Sequence, residues 1–245
     1  LMKRVGWETL TVYHAWAATL KAKHLTRFSN LLVDDSIFEP VFIGPNWPQN
    51  QDDRPFMAGV AGLNFNANCV DVTLQSNGYG SIVSYTLNPP THYVTIRNDC
   101  VHGNENAIVF SRTPGTNNIV LKGQSRGSTM APESCNVEDP PLFAGTVLQE
   151  TLAGDGVSFS GQVTRDRTIR QQLAAKDAGG WQVIAVHETP LLVAMGRANK
   201  DSMNLYAECI GKRLAAEINH GSGDWKTATA AMAAFMKKVG ASDGQ

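Results

Sequence analysis

The spacing of apolar residues changes twice along this chain, and the two changes limit the folds that it can adopt. Between residues 68 and 123, Val70, Val72 and Leu74 alternate with polar neighbours, and Asn77-Gly78-Tyr79-Gly80 supplies turn residues before a second apolar run. Strict alternation followed by a glycine-containing turn is typical of a β-hairpin. Further β-forming runs follow, separated by Pro and Gly, so we predict a small, mainly β module here.

Both ends of the chain instead have the spacing of amphipathic helices. The first stripe comprises Leu10, Tyr13, Ala17 and Leu20, the second Met203, Ala207, Ile210 and Leu214, and the third Trp225, Ala228, Met232, Phe235 and Val239. We expect Asp224 to cap the last helix and Gly240 to follow it. A further helix over residues 143–152 and a short strand over 157–163 are predicted between the module and the C-terminal helices. The sequence thus predicts an α+β fold with a mainly β insertion.

Composition narrows the range of partners. The 245 residues carry a net charge of −1, with acidic and basic residues interspersed. Such a chain offers no positive patch for a nucleic acid or an anionic membrane. No apolar run approaches the roughly 20 residues that cross a bilayer, and the first seven residues lack the apolar stretch of a signal peptide. We expect a soluble chain, whose signal peptide, if it is exported, lies upstream.

Metal and cofactor sites are not indicated by the cysteine and histidine spacing. Cys69, Cys100, Cys135 and Cys209 form no CxxC pair, and the six histidines form no HExxH pattern. Cys100 and Cys135 flank one β-like region, and a disulfide between them would contribute about 2 to 4 kcal/mol in an oxidising compartment. Isolated thiols fit the sequence equally well. We expect no metal and no cofactor.

The segment Ser202-Met203-Asn204 is the main candidate functional site. It stands where a loop is predicted to enter a helix, so a hydroxyl and a carboxamide can project together. The hydroxyl can relay a proton, and the amide offers both a donor and an acceptor to a peptide. The alternative is that Ser202 or Asp201 only caps the helix, since both residue types favour that position.

Around this triplet the sequence resembles the Ser-x-Asn region of the class C, low-molecular-mass penicillin-binding proteins, the D-alanyl-D-alanine carboxypeptidases and endopeptidases. The matching residues are Pro190-Leu191, Lys200, Ser202-Met203-Asn204-Leu205 and Ala207-Glu208. Other segments resemble the family's insertion-domain and helical segments in the same order: 33–38, 46–48, 63–70, 143–161 and the helix that begins near Trp225. The resemblance therefore samples nearly the whole chain.

The resemblance implies part of a penicillin-binding, serine β-lactamase-like catalytic domain that carries a mainly β insertion. Family members cleave D-Ala-D-Ala or cross-link bonds of peptidoglycan through an acyl-enzyme, and penicillins acylate the same serine. In that arrangement Ser202 would pass a proton toward the departing D-alanine, and Asn204 would orient the peptide. The implied partners are the peptidoglycan stem peptide and β-lactam antibiotics, and the implied location is the periplasm or cell envelope. Lys200 and Glu208 are expected to have packing or surface roles.

The same resemblance suggests how the chain is divided. Residues 1–59 would form the first part of the insertion domain, with a helix, a strand and a loop. Residues 60–139 would be the inner, mainly β domain, and residues 140–186 the return of the insertion domain. Residues 187–245 would be the helical part of the catalytic domain that carries the Ser-x-Asn motif.

Two family motifs are missing from this sequence. No serine has a lysine three residues later, so the Ser-x-x-Lys nucleophile motif is absent. The string nearest to Lys-Thr-Gly is Lys226-Thr227-Ala228, which falls in a predicted helix and not on a strand. We therefore expect a fragment of a serine DD-peptidase, inactive by itself. The alternative is a non-catalytic peptidoglycan-binding relative that has lost the nucleophile.

A further alternative is an esterase that uses Ser125. Residues 123–127 match the Gly-x-Ser-x-Gly nucleophile elbow, with His187 or His220 as a possible base. An elbow must lead from a strand into a helix, and Ser128-Thr129-Met130-Ala131-Pro132 does not have helical character. We therefore expect Ser125 not to be a nucleophile.

Overall fold

The computed structural model describes residues 8–48, 51, 54–128, 131–174 and 179–241. The helices of these residues are α1 (Thr11–Ala22), α2 (Pro140–Gly154), α3 (Ile169–Ala174), α4 (Leu191–Lys200), α5 (Asn204–Asn219) and α6 (Trp225–Lys238). The strands are β1 (Arg27–Phe28), β2 (Leu31–Val33), β3 (Cys69–Gln75), β4 (Ser84–Asn88), β5 (Thr95–Asn98), β6 (Val101–His102), β7 (Ala107–Arg112), β8 (Asn118–Ser125), β9 (Glu133–Asn136), β10 (Ser158–Phe159) and β11 (Val163–Arg165). This mixture confirms the α+β fold class.

The predicted hairpin is formed by β3 and β4, which pair antiparallel with Val72 opposite Leu87. The other edge of β3 pairs antiparallel with β9. The three alternating apolar residues of β3 are fully buried, as their spacing predicted. In the turn, Gly78 and Gly80 have φ values of 105° and 78°, a region that residues with a side chain rarely adopt. The alternation therefore places one face of this sheet in the core.

A second sheet of the module is built around β8. This strand pairs in parallel with β5 and β6 and antiparallel with β7. At Gly123 of β8, a Cβ atom would lie 1.8 Å from the carbonyl oxygen of Ala107. Only glycine allows β7 to approach so closely at this point.

Segments from before and after the β module pair with each other beside it. Strand β1 pairs in parallel with β10, and β2 pairs in parallel with β11. Helix α1 packs near α2 through an aromatic core in which the Tyr13 ring stacks on Phe65 at 4.6 Å and Phe143 is fully buried. The chain thus leaves this outer layer, forms the β module and returns to the same layer. The boundaries at residues 59, 139 and 186 stay predictions.

The strand predicted over residues 157–163 is wrong in detail, because the structure has two short strands there, β10 and β11. Between them Gly161 donates its backbone N–H to the carbonyl of Ser29 at 2.6 Å. A Cβ atom on Gly161 would lie 2.0 Å from the Asn30 side-chain oxygen. The chain bends at this close approach and continues in a second pairing with β2.

The apolar stripe predicted for the helix after Ser202 is not the face that is buried in the structure. The buried residues of α5 are Leu205, Lys212, Ala215 and Ala216, whereas the side chain of Leu214 is 46% exposed. The reason is that the neighbours of α5 in the described structure lie on the side that carries Lys212. None of the described helices is long and apolar enough to span a bilayer.

The cysteines form no disulfide in the structure, including the possible pair Cys100 and Cys135. Both of these thiols are fully buried, within the core that the β module shares with α1 and α2. They therefore contribute to packing as small apolar side chains.

A buried carboxylate links the outer layer to the start of α2. Asp35 is only 1% exposed and lies 2.5 Å from Nη1 of Arg167, which also donates from Nη2 to the carbonyl of Phe38 at 2.5 Å. Arg165 lies 3.8 Å from the same carboxylate and pairs as well with Asp139, which caps α2. These contacts hold β11, residues 35–38 and the beginning of α2 together.

The segment that follows Phe38 connects this layer to the C-terminal helices. Glu39 donates its backbone N–H to the carbonyl of Gly223 at 2.9 Å, and Gly223 donates to Ile37 at 2.9 Å. A Cβ atom on Gly223 would lie 1.9 Å from the Lys212 carbonyl oxygen in α5. Only glycine lets the chain pass between residues 37–39 and α5.

We expect Gly223→Ala to lower the free energy of unfolding by about 1 to 3 kcal/mol or more, because the new methyl group cannot avoid the α5 backbone. Urea denaturation of the two proteins measures the change. Gly211→Ala is the control, since its Cβ would meet only the Ala228 Cβ at 3.6 Å. This helical change should stabilise by about 0.5 to 1 kcal/mol. Equal midpoints for Gly223→Ala and the unmodified chain would contradict the packing argument.

Candidate functional site

Ser202 and Asn204 lie in the tight connection between α4 and α5. Helix α4 ends at Lys200, and Met203 donates its backbone N–H back to the carbonyl of Arg197 at 3.2 Å. Ser202 has a φ of 52°, in the left-handed region that residues other than glycine rarely adopt. Asn204 is the first residue of α5. The turn therefore presents both side chains at the N-terminal end of one helix.

The capping alternative does not fit this geometry. The N-cap of α5 is Met203, and the helix has no side-chain cap hydrogen bond. The Asp201 carboxylate instead accepts from Nη1 of Arg197 at 2.5 Å. Within the described residues the Ser202 side chain is exposed and makes no hydrogen bond. Its hydroxyl is thus available to a ligand or to a reacting group.

Asn204 connects the motif to the segment that precedes the β module. Its side-chain amide donates to the carbonyl of Phe56 at 3.2 Å. Phe56 belongs to the 3-10 turn Pro55–Met57, which directly precedes the β module. The bond engages the amide N–H and leaves the Asn204 side-chain oxygen as an acceptor.

Further along α5, Glu208 and Lys212 belong to one polar network; the sequence predicted a packing or surface role for Glu208 and gave no role to Lys212. The Trp225 indole N–H donates to the Glu208 carboxylate at 2.6 Å. The fully buried Lys212 ammonium donates to the carbonyl of Val41 at 2.9 Å and lies 3.2 Å from the Glu39 carboxylate. The spacing of Glu208 and Lys212, four residues apart, places both on one helix face, but no short motif marks their partners.

A cleft of about 800 Å³ opens between residues 40–48 and the β module. Its lining includes Trp47 and Met57, the residue next to the carbonyl that holds Asn204. The buried Arg112 guanidinium in this cleft donates to the Asn136 carbonyl at 2.7 Å and lies 3.6 Å from Glu138. Because its charge is already compensated, Arg112 does not mark an anion-binding site.

Ser125 does not have the environment of a nucleophile elbow. It is the last residue of β8, is 1% exposed, and its hydroxyl donates to the carbonyl of Gly127 at 2.6 Å. Residues 126–128 form no helix, and Thr129 and Met130 lie outside the described residues. The geometry therefore disfavours the esterase alternative.

Lys226, Thr227 and Ala228 lie in the first turn of α6. The Thr227 backbone N–H is bonded to the Asp224 carboxylate at 2.7 Å, which is the predicted N-cap of this helix. The string is therefore part of a capped helix, and no Lys-Thr-Gly strand motif exists at this position.

Comparisons with known proteins agree on one family. The sequence profile described as the D-Ala-D-Ala carboxypeptidase 3 (S13) family matches residues 10–244. A D-alanyl-D-alanine carboxypeptidase of Actinomadura sp. (strain R39) is 25% identical over 145 residues, which cover 55% of this chain and 27% of that protein. These matches confirm the resemblance found in the sequence.

Solved structures show the same fold. Penicillin binding protein 4 (dacB) of Haemophilus influenzae superposes with a TM-score of 0.72 at 20% identity, covering 96% of this chain and 51% of that one. The same protein complexed with a novel β-lactam gives a TM-score of 0.63 at 18% identity, with 96% and 49% covered. The chain thus spans about half the length of these structural relatives.

We expect Ser202→Ala to leave the free energy of unfolding unchanged within about 0.5 kcal/mol, because no cap hydrogen bond is lost. Asp224→Ala is the positive control, since its carboxylate accepts from Thr227 in a real N-cap. That change should cost about 1 kcal/mol. Urea denaturation of the three proteins gives both numbers. Losses of similar size in the two variants would restore the capping role of Ser202.

Proposed function

Because this chain belongs to the D-Ala-D-Ala carboxypeptidase 3 (S13) family, we propose that it is part of a serine DD-peptidase of the bacterial cell envelope. The observation that carries the proposal is the exposed hydroxyl of Ser202 beside Asn204 at the start of α5, which has no hydrogen bond to any residue that the structure describes. The proposed substrate is the D-Ala-D-Ala end or the cross-link of a peptidoglycan stem peptide. The proposed inhibitors are β-lactams.

The proposed reaction divides the chemistry between this chain and segments that flank it. A serine in a flanking Ser-x-x-Lys motif attacks the carbonyl carbon of the penultimate D-alanine, and an ester forms as the peptide bond breaks. The proton that the attacking serine loses is relayed through the Ser202 hydroxyl, which accepts one proton as it donates one to the departing nitrogen, so that D-alanine leaves as an amine. The Asn204 side-chain oxygen accepts a hydrogen bond from the peptide. Water then hydrolyses the ester and releases the shortened peptide.

An exposed apolar surface supports the view that further protein packs on the C-terminal helices. Large apolar side chains of α4, α5 and α6 are between 42% and 81% exposed. They are Leu191, Leu192, Met195, Leu214, Ile218, Met232, Phe235 and Met236. A surface of this kind marks an interface in a soluble protein. We infer that the rest of the catalytic domain covers it, with the flanking motifs facing Ser202.

The proposal predicts that the protein expressed from its full open reading frame forms a covalent adduct with labelled penicillin, whereas residues 1–245 alone do not. The reason is that acylation needs a nucleophile, and this sequence has no Ser-x-x-Lys. Gel fluorescence and intact mass spectrometry detect the adduct. A stoichiometric adduct on residues 1–245 would show that the nucleophile has been misidentified.

Two further measurements separate the alternatives. A full open reading frame without Ser-x-x-Lys that still binds peptidoglycan would favour the non-catalytic relative. Labelling of Ser125 by a fluorophosphonate would favour the esterase, although the Ser125 hydroxyl is buried and bonded to Gly127.

For Ser202 we expect the Ser202→Ala change in the full-length protein to slow penicillin acylation by about 100- to 10,000-fold, the range for a lost acid or base group. Ser222→Ala is the matched control, because Ser222 is an exposed serine in the turn before α6. It should acylate at the unmodified rate. Stopped-flow or quenched labelling measures the rates, and an unchanged rate in Ser202→Ala would end its proposed role in proton transfer.

A further inference from the structure

Three residues spaced four apart on α5 each contact a different segment of the chain. Asn204 donates to Phe56, Glu208 accepts from Trp225 of α6, and Lys212 donates to Val41. Residues four apart lie above one another on the same face of an α-helix. One face of α5 is therefore fixed at three successive turns, and the first of these turns carries the Ser-x-Asn motif.

Lys212 makes the most contacts of the three. Besides its bond to Val41, its ammonium lies 3.2 Å from the Glu39 carboxylate and 3.2 Å from the centre of the Trp225 ring. The same Glu39 oxygen accepts the backbone N–H of Trp225 at 3.0 Å. Burial lowers the pKa of Lys212, and the Glu39 carboxylate opposes that shift by stabilising the charged form. The group thus combines a buried ion pair with a cation–π contact.

A buried ion pair of this kind is not explained by stability alone, because a well-packed apolar side chain often stabilises a core as well. What the cluster adds is position, since the Lys212 ammonium can meet the Val41 carbonyl, the Glu39 carboxylate and the Trp225 ring together only over a narrow range of helix rotation and height. Gly223 also lies directly against the backbone of Lys212, and its own backbone is hydrogen-bonded to Ile37 and Glu39. These contacts hold helix α5 in a defined orientation relative to residues 39–41 and α6.

We propose that Lys212 is a positioning residue for acylation: acting through Glu39 and Trp225, it sets the rotation of α5 and thereby the place of the Asn204 side chain. The inference rests on the proposed DD-peptidase function. It assigns to a lysine two turns from the motif a role that no motif position marks. Lys212 itself does not touch the substrate.

The competing explanation is that Lys212 only stabilises the fold. A stabilising residue would affect the acylation rate independently of Asn204, whereas a positioning residue acts through it. A double-mutant cycle separates the two, because coupled residues give non-additive effects. The four full-length proteins are the unmodified one, Lys212→Met, Asn204→Ala and the double variant.

We expect Lys212→Met to lower the rate of acylation by labelled penicillin about 10- to 100-fold, the scale of a small misplacement of a positioned group. In the Asn204→Ala background the same change should lower the rate by no more than about twofold, because the side chain that Lys212 positions is no longer there. Equal fold-losses in both backgrounds, or an unmodified rate in Lys212→Met, would overturn the proposal.

Two controls complete the experiment. Val147→Ala opens space in the fully buried core between α2 and the β module, away from α5, and should lower the unfolding midpoint without changing the acylation rate. If Lys212→Met does not fold, Lys212→Arg takes its place in the cycle, and the same two outcomes decide. If the unmodified full-length protein is not acylated at all, that result contradicts the proposed function. The role of Lys212 is contradicted when the unmodified protein is acylated and the two changes act independently.

Discussion

The buried carboxylate of Asp35 is the interaction on which the arrangement of the molecule depends. It accepts from Arg167 and lies near Arg165, and these two arginines also hold the Phe38 carbonyl and Asp139. Removing one partner of a buried charge leaves the other uncompensated, at a cost of about 3 to 5 kcal/mol, so the members of the cluster depend on one another. Asp35 thereby fixes the start of the 35–41 segment, and the end of that segment holds Lys212 on α5. The position of the motif helix depends on both.

The sequence predicted the elements whose signals are local. The β3–β4 hairpin and the capped helix α6 were found because alternation, turn glycines and the Asp224 cap are read within a few residues. The parallel pairing of β8 with β5 and β6 was not, since nothing in one strand specifies a distant partner. The buried face of α5 was mispredicted for a related reason. Its spacing favoured Leu214, but the neighbours of the helix lie on the side of Lys212.

The same distinction applies to the candidate site. Ser202 and Asn204 could be identified because a short motif contains them, and their roles stay proposals. The residues that hold the motif helix in place could not be identified. Glu39 is far from Lys212 in sequence, and Trp225, the partner of Glu208, belongs to another helix. The left-handed backbone of Ser202 was equally hidden, since neither the residue type nor its neighbours requires it. Residues that act on a ligand can be recognised from a short motif more readily than the residues that hold those residues in place.

The β module begins and ends at neighbouring points of one sheet. Cys69 at the start of β3 faces Asn136 at the end of β9, and the backbone N–H of Val137 bonds to the Asn68 carbonyl at 2.9 Å. Two ends that already touch can be joined by a short turn, and loop-closure entropy changes only slowly with the length of the chain between them. The module is therefore connected to the rest of the chain at one place, and its apolar face packs on α1 and α2. Turns on the far side of the module can therefore lengthen or shorten without moving these ends, whereas the face that packs on α1 and α2 has to keep its apolar residues.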